Sequence, residues 1–157
     1  MTADLPPPLS LHGRDVGDIA VLASLLQDAL VNPADCRYEQ SDNSFLMVVN
    51  RFCWEERNTP ETKIAPPFYR VIAGLKVTQV EQVQHQGFIG GDYENGFHNL
   101  LSLHFEATHE GAPSGWLNFT FSNHVSLRLN IAEVSLVLSD LAAPYPTSKR
   151  PDHPLQG

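Results

Sequence analysis

From residue 36 to residue 141 the apolar side chains recur mostly at every second position, and this habit decides what the chain can become. A period of two places alternate side chains on opposite faces of an extended strand. The runs are 36–40 (CRYEQ), 44–55 (SFLMVVNRFCWE), 68–84, 99–107, 116–121, 124–131 and 132–141. Turn-rich tracts separate several of them, such as SDN at 41–43, EGAPSG at 110–115 and SN at 122–123. In 44–55, Phe45, Met47 and Val49 share one face, and Leu46, Val48, Phe52 and Trp54 the other. Both faces are apolar early on, so this strand is expected to be covered on both sides near its start. In 68–84, Tyr69, Val71, Ala73, Leu75 and Val77 share a face, and Gly74 is the expected bend. The later inward sets are Leu101, Leu103 and Phe105; Leu117, Phe119 and Phe121; Val125, Leu127, Leu129 and Ile131; and Val134, Leu136 and Leu138.

Only residues 15–31 repeat in threes and fours, through Ile19, Leu22, Ala23, Leu26, Ala29 and Leu30. Asp15 and Asp18 favour the start of a helix there, and Asn32-Pro33 ends it. Its outer face offers Ser24, Gln27 and Asp28. One helix before about seven strands, with no βαβ unit, excludes a doubly wound parallel sheet. The expected class is α+β, mostly β. The N-terminal helix packs on a strongly bent antiparallel sheet, or a barrel-like roll, built mainly from successive hairpins. A pleckstrin-homology-like roll has similar element counts, although its helix comes last. Residues 1–13 read as a Pro-rich flexible segment, 14–142 as the single domain and 143–157 as a Pro-rich tail.

A chain of 157 residues is one domain's worth and can build a core without staples. No apolar run reaches the length of a membrane span, and the N-terminal residues lack the apolar stretch of a secretory signal. Cys36 and Cys53 read as unpaired thiols of a cytoplasmic protein. The formal charge is −8, and six of the ten cations lie between Arg37 and Lys76. The acidic balance argues against nucleic acid and anionic membranes as partners.

The early Leu26-Gln27-Asp28, the segment Asn50-Arg51-Phe52-Cys53-Trp54-Glu55 and Ala112-Pro113-Ser114-Gly115 form a familiar set of local patterns. Ser139-Asp140-Leu141 and Arg150-Pro151-Asp152-His153 complete it. Together they resemble DUF2948, a family of uncharacterised alphaproteobacterial proteins of about this length. The resemblance covers nearly the whole chain. It implies a bacterial, cytoplasmic, single-domain protein and supplies no catalytic residue.

Candidate chemistry is sparse. Gly87-Phe88-Ile89-Gly90-Gly91 is glycine-rich but lacks a phosphate-loop pattern. His85, His98, His104, His109 and His124 lie in a span with no Lys or Arg, beside Asp92 and Glu94, in no compact ligand spacing. They read as solvated side chains. Glu55 and Glu56 read as solvated too, and Cys53 as a buried small hydrophobe. No catalytic residue, metal site or cofactor is assigned. The one cluster that suits recognition is Arg51, Trp54, Arg57, Tyr69 and Arg70, around the 57–67 loop. Arg and aromatic side chains together are what interfaces use, although Arg stacked on Trp54 would serve structure alone. The expected function is a non-enzymatic binding or adaptor domain with a protein partner. The alternative is a β-barrel, with or without enzymatic activity, that binds a small molecule or divalent cation through the His- and acid-rich region 85–110. A homo-oligomer formed through an exposed strand edge stays open.

Overall fold

The computed structural model describes residues 7–56, 68–88, 96–148 and 151. In chain order the elements are β1 (Ser10–Gly13), α1 (Val16–Leu25), β2 (Leu30–Glu39), β3 (Ser44–Phe52) and a 3-10 turn (Trp54–Glu56). Then come β4 (Phe68–Val77), β5 (Val80–Gln86), β6 (His98–Ala107), β7 (Gly115–Phe121), β8 (Ser126–Ile131), β9 (Leu136–Asp140) and β10 (Tyr145–Thr147). The α+β, mostly-β class holds, with one helix among the described residues. The strands form one antiparallel ten-stranded sheet in the order β1-β9-β4-β3-β2-β6-β7-β8-β5, with β10 added to β4. That path is open at β1 and β5. None of the described helices is long and apolar enough to cross a membrane.

The strand order has a twofold plan. β2-β3-β4 is a meander, and its next strand, β5, leaves to pair with β8. β6-β7-β8 is a second meander, and its next strand, β9, leaves to pair with β4. The first strands of the two meanders join at Leu30–Asn99 and Val31–His98. So neither β4 nor β8 is followed by a hairpin: the run expected as one strand over 68–84 is β4 and β5, and the hairpin expected after β8 is a crossing. Each continues through a bend into the other half. The two bends bond to each other: Thr78 N–H donates to the Ser135 carbonyl at 2.9 Å, and Ala132 N–H to that of Gln79 at 3.0 Å. Gln79 has φ of +61°, so the turn is made there and not at Gly74, which stays paired with Val48 inside β4.

The helix is shorter than its periodicity suggests. Asp15 caps it, accepting from Asp18 N–H at 2.9 Å, while Asp18 accepts from Arg14 N–H at 2.8 Å. It stops at Leu25, not at Asn32-Pro33. Asp28 takes the left-handed conformation with φ of +62°. The chain is then held by β6: Asp28 N–H donates to Leu100 carbonyl at 3.0 Å, and Leu100 N–H to Ala29 carbonyl at 2.8 Å. Leu30 and Val31 therefore begin a strand, and Pro33 falls in the register shift between Val31 and Cys36. Asp28, expected on the outer face, is buried. The other face of the helix is not wholly polar, since Val16 and Val21 are exposed.

One core cluster draws on both halves. Phe45, Met47, Val49, Ala73, Leu75, Val77, Leu136 and Leu138 meet Leu117, Phe119, Phe121, Val125, Leu127, Leu129 and Ile131, with Ile19, Leu22 and Leu26 of the helix region. Near the start of β3 the second face is not fully covered, since Leu46 is half buried and Val48 exposed. Strands also occupy the segments expected as tether and tail: β1 pairs with β9, and β10 with β4. Together with the separation of β5 from β4, these raise the expected seven strands to ten. In β6 a register shift between Leu100 and Ser102 resets the alternation. Leu100 and Leu103 are buried, Leu101 points outward, and Phe105 is only half buried.

That bulge makes neighbouring leucines differ. Leu103→Ala is expected to cost about 2–4 kcal/mol, and Leu101→Ala under about 0.5 kcal/mol, by urea unfolding. Equal losses at both positions would contradict the register.

Candidate functional site

Inward positions of β3 run Phe45, Met47, Val49 and then Arg51. The alternation that builds the core therefore also drives a guanidinium into it. Arg51 is fully buried, and the side chain of Asp140, the last inward position of β9, is 4% exposed. Arg51 reaches across β4, where the inward residues are Val71 and Ala73. Its Nε donates to Asp140 Oδ1 and its Nη2 to Oδ2, both at 3.0 Å. Nη1 and Nη2 also donate to Glu55 Oε1 and Oε2 at 2.8 and 2.7 Å. Burial opposes the charge on Arg51, but the hydrogen bonds and charges of Glu55 and Asp140 outweigh it. They hold the guanidinium above its ordinary pKa. Asp140 is tied further to Leu9: its Oδ2 accepts from Leu9 N–H at 2.8 Å, and its own N–H donates to Leu9 carbonyl at 2.9 Å.

Strands β3 and β4 pair, which brings the described members of the expected recognition cluster to one end of the sheet. Arg51 is internal. Trp54 is half buried, and its indole N–H donates to the Gln27 carbonyl at 2.8 Å. Its ring packs on Phe52 at 4.5 Å, and among the described residues no Arg stacks on it. The cation stacks instead pair Arg70 with Phe52 at 5.8 Å and Arg128 with Trp116 at 4.0 Å. Arg70 also donates to the Asn50 carbonyl at 3.0 Å. Burial pushes the Arg70 pKa down, against the raising influence of Tyr145, Asp28 and Cys53. Tyr69 is half buried, and Arg57 lies outside the described residues. Glu55 is exposed, as expected, and its carboxylate also holds Arg51.

The twofold plan gives two comparable outer faces, and they differ in chemistry. On β5-β8-β7-β6 the outward rows are Gln86, Ser126, Thr120, Ser102; Gln84, Arg128, Asn118, His104; and Gln82, Asn130, Trp116, Glu106. That is an ordinary wetted face. On β2-β3-β4-β9 the rows read Arg37, Leu46, Lys76, Val137; then Val48, Gly74, Ser139. The next row is Leu30, Asn50, Ile72, and the last is Phe52, Arg70, Tyr145. Leu141, whose N–H donates to Ile72 carbonyl, lies over Gly74, where an added Cβ would stand 3.3 Å from Leu141 Cδ1. On this face Leu141 is 61% exposed, Tyr145 41% and Val48 36%. Sequence reading missed Leu141 and Tyr145 because their strand partners are remote in the chain.

Of the histidines, His85, His104, His109 and His124 are exposed, but His98 is buried, with Nδ1 3.2 Å from Asn123 Nδ2. The β6 bulge puts His98 and His104 on opposite faces. Among the described residues no group of three His, Cys, Asp or Glu is placed to hold a metal ion. Asp92 and Glu94 lie outside them. Cys53 is buried as expected, and both cysteines are free thiols. Burial pushes the Cys36 thiol up to about 12, a hydrogen bond from the Val48 backbone lowers it, and Asp35 adds to the rise.

Compared with known proteins, residues 9–153 match the family model DUF2948, described as a protein of unknown function. No curated protein and no solved structure matches the chain.

Two outcomes follow from the buried groups. Arg51→Ala strands Asp140 and is expected to cost about 3–5 kcal/mol in urea unfolding, with Arg51→Lys in between. Loss under about 1 kcal/mol would contradict the buried cluster. For Cys36, the raised folded pKa favours the thiol form. Its stabilising contribution is complete below the unfolded thiol pKa and fades as pH rises towards about 12. Native Cys36 is expected to react with iodoacetamide at pH 8 about a thousandfold more slowly than in urea, by mass spectrometry.

Proposed function

The chain belongs to the DUF2948 family of proteins of unknown function, and we propose that it works as a non-enzymatic binding domain. In this reading a protein partner docks on the outer face of β3, β4 and β9. The observation that supports it is the contrast between the two outer faces. The architecture treats them alike, yet one is mainly polar, with Trp116 under Arg128 and Leu101 at the β6 bulge, and the other carries Leu46, Val48, Ile72, Leu141 and Tyr145. Exposed contiguous apolar surface on a strand face marks interaction sites. Tyr145 is a suitable anchor, since its hydroxyl is already held by Asn50 Nδ2 at 2.7 Å.

Charge narrows the partner. Arg37 and Lys76 stand at one end of this face and Arg70 at the other, in a chain whose formal charge is −8. Arg37 is paired with Glu39 at 2.9 Å and Lys76 with Asp42 at 4.0 Å. Such exposed pairs are weak and can be exchanged for a partner's carboxylates. The surface therefore suits an apolar segment flanked by acidic residues. Free thiols suit a reducing compartment, and the reading sets the protein in the bacterial cytoplasm.

The test is affinity capture from the source cell with three chains: unaltered, Val48→Asp/Leu141→Asp, and Thr120→Asp on the polar face. Near-UV circular dichroism checks that all three are folded. The expected result is a stoichiometric acidic partner lost only with the Val48/Leu141 variant. Equal capture by all three chains, or self-association through this face in sedimentation, would overturn the reading.

A further inference from the structure

A hollow of about 370 Å³ opens where the end of α1 meets the 3-10 turn, lined by Ser24, Leu25, Gln27, Trp54 and Glu55. Three features give it a negative field. The helix presents its carbonyl end there, and its last turn has no basic residue. Glu55, whose side chain is 23% exposed, lines the wall. Behind it, two carboxylates, Glu55 and Asp140, share the guanidinium of Arg51, one negative charge in excess among these described groups. Trp54 adds an aromatic wall, fixed by its hydrogen bond to Gln27 and its contact with Phe52.

We propose that this hollow binds a small organic cation, an alkylammonium or guanidinium group. The polar atoms on the wall favour that class over a metal ion. The one carboxylate on the described wall, Glu55, already gives both oxygens to Arg51. A hard cation needs six or so oxygen ligands, whereas an organic cation needs a field and an aromatic wall. The group can come from a free amine or from a Lys or Arg side chain of another protein. The site is separate from the outer-face reading, and the Val48→Asp/Leu141→Asp variant is expected to leave it unchanged.

The chain has two tryptophans, so Trp116→Phe leaves Trp54 as the one fluorescent indole. In that background, butylammonium and Nα-acetyl-lysine amide are titrated, with n-butanol and potassium chloride as controls. Both cations are expected to change Trp54 emission saturably, and neither control to do so. Tighter butylammonium binding marks a free amine as the source; tighter lysine-amide binding marks a side chain. Ser24→Lys, an exposed position, supplies a tethered ammonium and is expected to weaken both cations at least about tenfold while thermal melting shows the chain folded. No saturation, an equal response to n-butanol, or unchanged titration in Ser24→Lys would overturn the proposal.

Discussion

The Arg51 guanidinium is the constraint around which one end of this protein is arranged. It is a permanent charge at a position that strand alternation turns inward, so water cannot solvate it. Its four hydrogen bonds to Glu55 and Asp140 offset that loss. Each partner belongs to a different part of the chain. Glu55 fixes the 3-10 turn after β3, and Asp140 fixes the end of β9 and, through Leu9, the approach to β1. Removing the cation would leave carboxylates without their counter-charge at the mouth of the core.

The rest of the fold depends on exchange between two similar halves. A three-stranded meander alone would have two exposed edges. Here the first strands join at Leu30 and Val31, and each third strand is covered by the other half's departing strand. The exchange is held at Thr78–Gln79 and 132–135, where the two bends bond each other. β9 is also the strand that carries Asp140 to Arg51, so the buried ion cluster reports that β9 has crossed correctly.

Much of this was legible wherever alternation ran unbroken. Leu117, Phe119 and Phe121, and Val125 through Ile131, lie inward as their period dictates. Legibility failed where one residue resets the count. The bulge at Leu101 reversed the face of its neighbours, and Asp28 in the left-handed region ended a helix whose apolar period continued into a strand. The crossing of β9 was hidden because a short linker looks like a hairpin, and that of β5 because 68–84 reads as one run; only tertiary pairing tells them apart. Arg51 could have been placed from the parity it shares with Phe45, Met47 and Val49. A cation on a strand is ordinarily read as exposed, and Asp140, 89 residues away, gives no local sign.

A buried ion cluster is a costly way to close a core, since apolar side chains of similar volume often serve stability as well or better. What it gives is position. Glu55 lines the hollow beneath α1, while Asp140 directly precedes Leu141, the most exposed large apolar side chain on the outer face. One guanidinium therefore sets the geometry at both places. Directional, charge-assisted bonds fix angles as well as distances, which packing of methyl groups does poorly. The cluster is best understood as the joint that holds the hollow and the apolar face in a fixed relation.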